Sequence, residues 1–286
     1  AYVRPVMVNY VRQLSDTLPQ HIPLRIMKSD GGVMTAQRVA EQAVHTALSG
    51  PAAGVIGAHH LAQLAGYPDI ITLDMGGTST DVALCPGGPQ FAAHSQIDGL
   101  PLRARLLDIE TIGAGGGSIA RLDAGGALRV GPQSAGAVPG PIVYARGGDQ
   151  LTVSDANAVL GRLDAEHFLG GDMTLDVDSA QDAMQRLADA MQASVIEAAQ
   201  GIIDVANVNI DRALRRVSIA RGYDPRRFTL VAFGGAGPLH ACEVADRLHV
   251  ARVLIPRYPG VLCALGLLVA DAVIEQSRAV LSPLSN

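Results

Sequence analysis

Tryptophan is absent from this 286-residue chain, and aromatic residues make up only 3% of it. That argues against a binding groove lined with stacked aromatic rings. Lysine is almost missing too: Lys28 is the single lysine among 22 basic residues. A Schiff-base lysine could only be Lys28, and no GxxxxGK[ST] phosphate loop occurs. The three cysteines, Cys85, Cys242 and Cys263, form no CxxC pair. Their number and spacing exclude a disulfide framework and a zinc–thiolate site, and fit a reducing cytoplasm. The eight histidines contain no HExxH. No apolar run reaches the ~18 residues of a membrane span; Val261 to Ala270 is cut off by Asp271. With a net charge of −5 and a pI near 5.9, no basic stripe points to nucleic acid or to an anionic membrane. No signal-peptide pattern opens the chain. It starts at Ala1 with an amphipathic segment already under way, and so reads as a piece of a longer protein.

Glycine, by contrast, is abundant, with 32 residues that gather in clusters. Together with the scarcity of aromatics, this favours loops that cradle a ligand. Hydrophobic residues at 48% and charged residues at 17% suit a packed globular protein. The periodicity predicts a first helix over residues 1–20, with Val3, Val6, Met7, Tyr10, Val11 and Leu14 on one face. A short strand (24–27), an Asp30-Gly31-Gly32 turn and a second helix (52–65) follow. Further short strands are expected over 89–110, and a Gly/Pro-rich region with one small hairpin over 111–148. A short helix (155–163) precedes two long ones. The first of these has an Asp178/Ser179 cap with Gln181 placed for a capping box, and the second covers about 195–221. A buried strand (228–233), a helix (238–248), a strand (253–255) and a Gly/Ala-rich helix (260–273) complete the order. Hairpins mixed with strand-to-helix crossovers predict an α/β fold with a mixed sheet and an inserted helical subdomain.

The most informative string is Ile70 to Leu84. Two apolar strands flank Asp74-Met-Gly-Gly-Thr-Ser-Thr-Asp81. Gly76 and Gly77 let successive backbone N–H groups, with that of Thr78, converge on one anion. Thr78, Ser79 and Thr80 add hydroxyls. Asp74 and Asp81 would repel a phosphate, so their presence makes sense with Mg²⁺ between, mostly through water. The alternative is a tight hairpin whose aspartates cap turn amides.

The spacing resembles the second phosphate loop of the actin/Hsp70/sugar-kinase superfamily. The helix after Ser49-Gly-Pro-Ala-Ala-Gly54 precedes that loop, and Leu230 to Ala241, with its Gly234-Gly235-Ala236-Gly237 bend, is similar to the superfamily's adenosine segment. A last small-residue helix, from Gly260, is expected to pack against the helix that starts at Ala52. More narrowly, the wording resembles the hydantoinase A/5-oxoprolinase family. Met27 to Met34, Leu48 to Gly54, Leu73 to Asp81, Ile112 to Ser118, Pro139 to Pro141, Ser154 to Asn157, Leu160 to Leu163, Phe168 to Gly171, Gly222 to Pro225 and Leu230 to Ala241 carry the likeness in order along the chain. Two departures stand out: Val143 precedes Tyr144 where a small residue, often Cys, is expected, and Ala145 replaces a Gly. Any role for a thiol there is lost.

The resemblance implies one lobe of an actin-like (ribonuclease H-like) ATPase, with residues 1–69 as lead-in, 70–150 as the phosphate-loop sheet region, 151–222 as the helical insertion and 223–286 as the adenosine region. It implies ATP-dependent hydrolysis of a cyclic amide such as 5-oxoproline or a hydantoin, with ATP and Mg²⁺ as cofactors. It also implies a missing N-terminal lobe and a hydantoinase B-like second subunit as partners. Asp74 and Asp81 would hold the metal, Gly76 to Thr80 the phosphates, and Gly234, Gly235 and Gly237 the adenosine. The loop of Gly113 to Ser118, including Gly115, Gly116 and Gly117, would contact phosphate or substrate; its likeness to a dinucleotide loop has no strand–turn–helix behind it. Lys28 and Asp30 would line the cleft or sit on a surface turn. His240 is a ligand or acid/base group, or else a first-turn helix residue with a local bond. Asp155 reads by default as a helix cap. Arg212, Arg215 and Arg216 would reach adenine or form a solvated face. Two alternatives stand beside hydrolysis: an ATP-dependent ketone carboxylase subunit of the same family, and a non-catalytic nucleotide-binding module.

Overall fold

The structure is a computed structural model that describes residues 3–19, 21–92, 96–97, 100–101 and 104–273. The chain runs α1 (Arg4–Thr17), β1 (Arg25–Met27), β2 (Val33–Thr35), α2 (Ala36–Glu41), α3 (Ser49–Leu64), β3 (Ile70–Met75) and β4 (Thr80–Cys85). Short strands β5 (Gln96–Ile97) and β6 (Leu100–Pro101) pair with each other, and are followed by β7 (Ile109–Ile112), β8 (Ser118–Leu122) and β9 (Leu128–Ser134). Next come α4 (Val153–Val159), α5 (Val177–Met191), α6 (Val195–Val217), β10 (Thr229–Phe233), α7 (Gly237–Leu248), β11 (Val253–Leu254) and α8 (Leu262–Val269).

The central sheet has the order β11-β10-β3-β4-β7. Its β11, β10 and β3 are parallel, whereas β3–β4 and β4–β7 are antiparallel, so the sheet is mixed as expected. Alternation along β3 divides its side chains between two cores. Ile71, Leu73 and Met75 join Val82 and Leu84 under α4, α5, α6 and α7. Ile70 joins Ala83, Cys85, Val231 and Phe233 under α3 and α8. Asp74 shares the parity of Ile70 and therefore faces the α3–α8 side. Helices α4, α5 and α6, together with α7, form the layer that covers the first face.

The small-residue helices α3 and α8 cross backbone to backbone. A Cβ at Gly266 would lie 1.8 Å from the Ala53 carbonyl oxygen, and one at Gly57 would lie 2.8 Å from that of Leu262. Only glycine permits this approach. Helix starts are set by side-chain caps. Ser194 with Glu197 and Thr152 with Asp155 form capping boxes at α6 and α4. The start of α5 differs from expectation: Asp176 is the cap and accepts the Ser179 amide, so the helix begins at Val177. The last helix is also shorter than expected. Beyond Val269 the backbone becomes extended, and the Asp271 carbonyl accepts the Val33 amide. Helix α1 forms, but of its apolar face only Val11 is buried, while Val6 and Tyr10 stay exposed.

Candidate functional site

The β3–β4 register places Asp74 directly opposite Asp81 and Met75 opposite Thr80. Directly opposed residues of an antiparallel pair project from the same face, and like charges in that position are destabilising. The arrangement has no packing advantage and suits a cation. Asp74 accepts a hydrogen bond from the Cys263 thiol of α8 at 3.7 Å, and Asp81 accepts one from the Thr111 hydroxyl of β7. Burial, followed by the charge of Asp81 and opposed by the Cys263 thiol, pushes Asp74 up to about 6. Burial raises Asp81 as well, against the pull of Thr111. Burial and the Asp74 carboxylate push the Cys263 thiol up to about 12, so it stays protonated as a donor. Two half-buried carboxylates fit Mg²⁺, which takes one or two protein carboxylates and keeps several waters. Among the described residues no group of three His, Cys, Asp or Glu side chains is arranged to hold a metal.

Gly76, Gly77, Thr78 and Ser79 make the tip. The Gly76 amide donates to the Ser79 carbonyl at 3.0 Å. The amides of Gly77, Thr78 and Ser79 have no acceptor among the described residues. Gly77 and Thr78 are exposed, and no heavy atom lies within 4 Å of a Cβ built on Gly77. Thr80 is different: it is fully buried and its hydroxyl donates to the Ala114 carbonyl, so it braces the tip from behind.

Two glycine loops grip this hairpin. The amides of Gly116 and Gly117 donate to the Gly76 and Gly77 carbonyls at 3.0 and 2.7 Å. The Gly115 amide donates to the Ser118 hydroxyl at 2.8 Å. A Cβ on Gly115 would lie 2.6 Å from the Gly77 carbonyl carbon and the Thr78 nitrogen. The amides of Gly115, Gly116 and Gly117 are thus taken up within the protein, and the 113–118 loop holds the hairpin from beneath. On the other side, the Ala236 amide donates to the Met75 carbonyl at 2.9 Å. Gly234, with φ of +80°, comes so close that a Cβ there would lie 2.5 Å from the Asp74 carboxylate. Gly235 is exposed, whereas Gly237 is buried against β3. The bends at 76–79 and 234–237 thus lie side by side, with the Asp74 carboxylate against Gly234.

Other sequence candidates have local partners of their own. Lys28 and Asp30 form a buried ion pair at 2.6 Å, and Asp30 also accepts the Gly32 amide. This is neither an exposed turn nor a group at the hairpin tip. Asp155 is fully buried and accepts from the Thr152 hydroxyl and amide and from the Val143 amide, the capping role read by default. His240 is fully buried in the first turn of α7, with Nδ1 2.7 Å from Asn207 Oδ1. Asn207 uses its Nδ2 to donate to Glu243, so its oxygen faces the imidazole and His240 Nδ1 carries the proton. Burial, with Arg162 nearby, lowers His240 to about 4, and the ring is neutral. Its place supports the local-bond reading over acid/base work. Arg215 and Arg216 pair with Asp211 and Glu110 on the surface. Cys263 and Thr111, which touch the two aspartates, escape sequence reading. They reach the hairpin from a distant helix and a neighbouring strand, and nothing in the residues around them points to Asp74 or Asp81.

The chain matches the hydantoinase/oxoprolinase family over residues 1–276. It is 41% identical over 281 residues to the caprolactamase alpha subunit of Pseudomonas jessenii, covering 96% of this chain and 40% of that protein. The crystal structure of the ATP-dependent caprolactamase from the same organism superposes with a TM-score of 0.82 at 40% identity, covering 94% of this chain and 40% of that one. A nucleotide-free acetone carboxylase structure gives a TM-score of 0.83 at 32% identity, covering 94% of this chain and 38% of that one. 5-Oxoprolinase 1 of Arabidopsis thaliana is 38% identical over 300 residues, covering 97% of this chain and 23% of that protein. This chain therefore spans less than half the length of each of these relatives. No helix among the described residues is long and apolar enough to cross a membrane. With matches of this breadth, carried through the Asp74–Asp81 hairpin and both glycine loops, the chain belongs to the hydantoinase/oxoprolinase family.

Proposed function

We propose that the complete protein uses ATP to open a cyclic amide of the 5-oxoproline or hydantoin type. The observation that carries this reading is the hairpin tip itself: the amides of Gly77, Thr78 and Ser79 have no acceptor among the described residues, two opposed carboxylates lie at the base of the tip, and the Gly234–Gly237 bend packs beside it. An unstrained lactam resists water. Transfer of the γ-phosphoryl group to the amide oxygen breaks its bond to the bridging oxygen and releases ADP. Water then adds to the activated carbon, and the ring C–N bond breaks as nitrogen takes a proton. A second water converts the acyl phosphate to carboxylate and phosphate. In such a reaction the protein's work is positioning and charge neutralisation.

In this assignment the tip amides and the Thr78 and Ser79 hydroxyls hold phosphate oxygens. Asp74 and Asp81 hold Mg²⁺ directly or through water, and the ion offsets the phosphate charge. The exposed Gly235 and the close-packed Gly234 and Gly237 let the backbone border the adenosine. The caprolactamase and 5-oxoprolinase relatives support a cyclic amide as substrate, and the word subunit in the former's name supports a heteromeric assembly with a second, hydantoinase B-like chain. Similarity to acetone carboxylase favours one second reading, in which an enol takes the phosphoryl group.

Turnover of 5-oxoproline, hydantoin and N-methylhydantoin by the full-length protein with its partner, with and without Mg-ATP, separates the two. Ring opening that needs ATP supports the first; ATP-dependent bicarbonate fixation onto a ketone supports the second; nucleotide binding without turnover would leave a binding module. Asp74→Ala should abolish ATP-dependent activity and leave the fold intact. Retained activity removes Asp74 from the mechanism.

A further inference from the structure

A cavity of about 810 Å³ lies between α6 and the β8–β9 hairpin. No residue of the bends at 76–79 and 234–237 lines it. Its volume falls in the range of small-molecule sites. Its walls carry four arginines, Arg121, Arg129, Arg212 and Arg216, against two aspartates, Asp123 and Asp204. Ion pairs account for part of this charge. Arg129 pairs with Asp123 at 2.8 Å, and Arg216 pairs with Glu110 at 2.8 Å. Asp204 is drawn away by Arg247, which does not line the cavity. Arg121 and Arg212 pair with no carboxylate among the described residues. The cavity is thus cationic in a chain whose net charge is −5. Leu128, Val205 and Val208 give it an apolar side.

We propose that this cavity binds an organic anion with an apolar body, its carboxylate, phosphate or sulfonate head on Arg121 and Arg212 and its body against Leu128, Val205 and Val208. Guanidinium groups suit such heads because they donate two parallel hydrogen bonds to one oxyanion. Concavity favours a compact ligand over a flat protein partner. The two arginines come from elements far apart in sequence, a hairpin strand and a long helix, and packing brings both to the wall of this cavity. The site does not depend on the reading of the hairpin tip.

The test is fluorescence titration of the full-length protein with anilinonaphthalene sulfonate, an aromatic organic anion, with octanoate as competitor. The expected result is saturable binding of one equivalent per chain, displaced by octanoate. Arg121→Gln and Arg212→Gln should each weaken it roughly tenfold or more, the worth of a charged hydrogen bond. Both side chains are exposed, so neither change threatens the fold. Arg186→Gln, an exposed arginine on α5, should leave binding unchanged. Affinity in either cavity variant equal to that of the unsubstituted protein would overturn the proposal. So would an absence of saturable binding, which would mean that another part of the full-length protein fills the cavity.

Discussion

Replacing Asp74 by Asn should make the protein more stable at neutral pH. The Asp74 carboxyl titrates near 6 in the folded chain and near 3.8 when unperturbed, because it is buried opposite Asp81. Protonation is easier in the native state, so the proton favours folding. Stability from this group is fully present below its unperturbed value and is lost as pH rises through about 6. A shift of about two units corresponds to about 3 kcal/mol at 1.36 kcal/mol per unit, a ceiling on what Asn recovers at pH 7.5. The two carboxylates titrate as a pair, so the gain is shared with relief of Asp81. The assay is urea unfolding of both proteins followed by circular dichroism between about pH 4 and 8, without divalent cations. A gain of about 1–3 kcal/mol is expected at pH 7.5, shrinking toward zero near pH 4. Added Mg²⁺ should stabilise the unsubstituted protein and narrow the gap by mass action. A variant no more stable at pH 7.5, or a gap independent of pH, would refute the claim that the opposed carboxylates strain the fold.

Other substitutions test how the site is built. Gly266→Ala would drive a methyl group into the Ala53 carbonyl, at 1.8 Å, and force α3 and α8 apart; a loss of about 1–3 kcal/mol or more is expected from overpacking, read as a lower melting temperature. Gly115→Ala would place a methyl group 2.6 Å from the Gly77–Thr78 peptide and displace the hairpin tip. Its far-UV circular dichroism should be unchanged, while the KM for ATP in the full-length protein rises. Asp155→Ala would strip partners from the Val143 and Thr152 amides and from the Thr152 hydroxyl. The expected cost is about 2–4 kcal/mol, measured by denaturant unfolding. If Asp155 were instead a solvent-facing ligand group, that cost would be near zero.

Much of the fold is legible in the sequence because its signals are local. The apolar run from Ile70 to Leu73 assigns a buried strand, and the glycines between Asp74 and Asp81 assign its turn. Small residues from Ser49 and from Gly260 announce two helices that cross closely. Ser194 and Glu197 mark the start of α6. The α5 start misled because three polar residues within four positions, Asp176, Asp178 and Ser179, can each cap, and the geometry of one turn selects Asp176.

The amino-acid sequence by itself determined the hairpin, its carboxylates and the kinds of loop around it, since each depends on residues within a few positions of one another. Tertiary structure alone decided which way those loops face. The amides of Gly116 and Gly117 turn to the carbonyls of Gly76 and Gly77, so a string that looks open to a ligand became a clamp. His240 went inward to Asn207, Lys28 closed on Asp30, and Cys263 arrived beside Asp74. Arg121 and Arg212 came to line one cavity. These outcomes follow from contacts between distant segments, where packing and the satisfaction of buried polar groups choose among orientations that local pattern leaves equal.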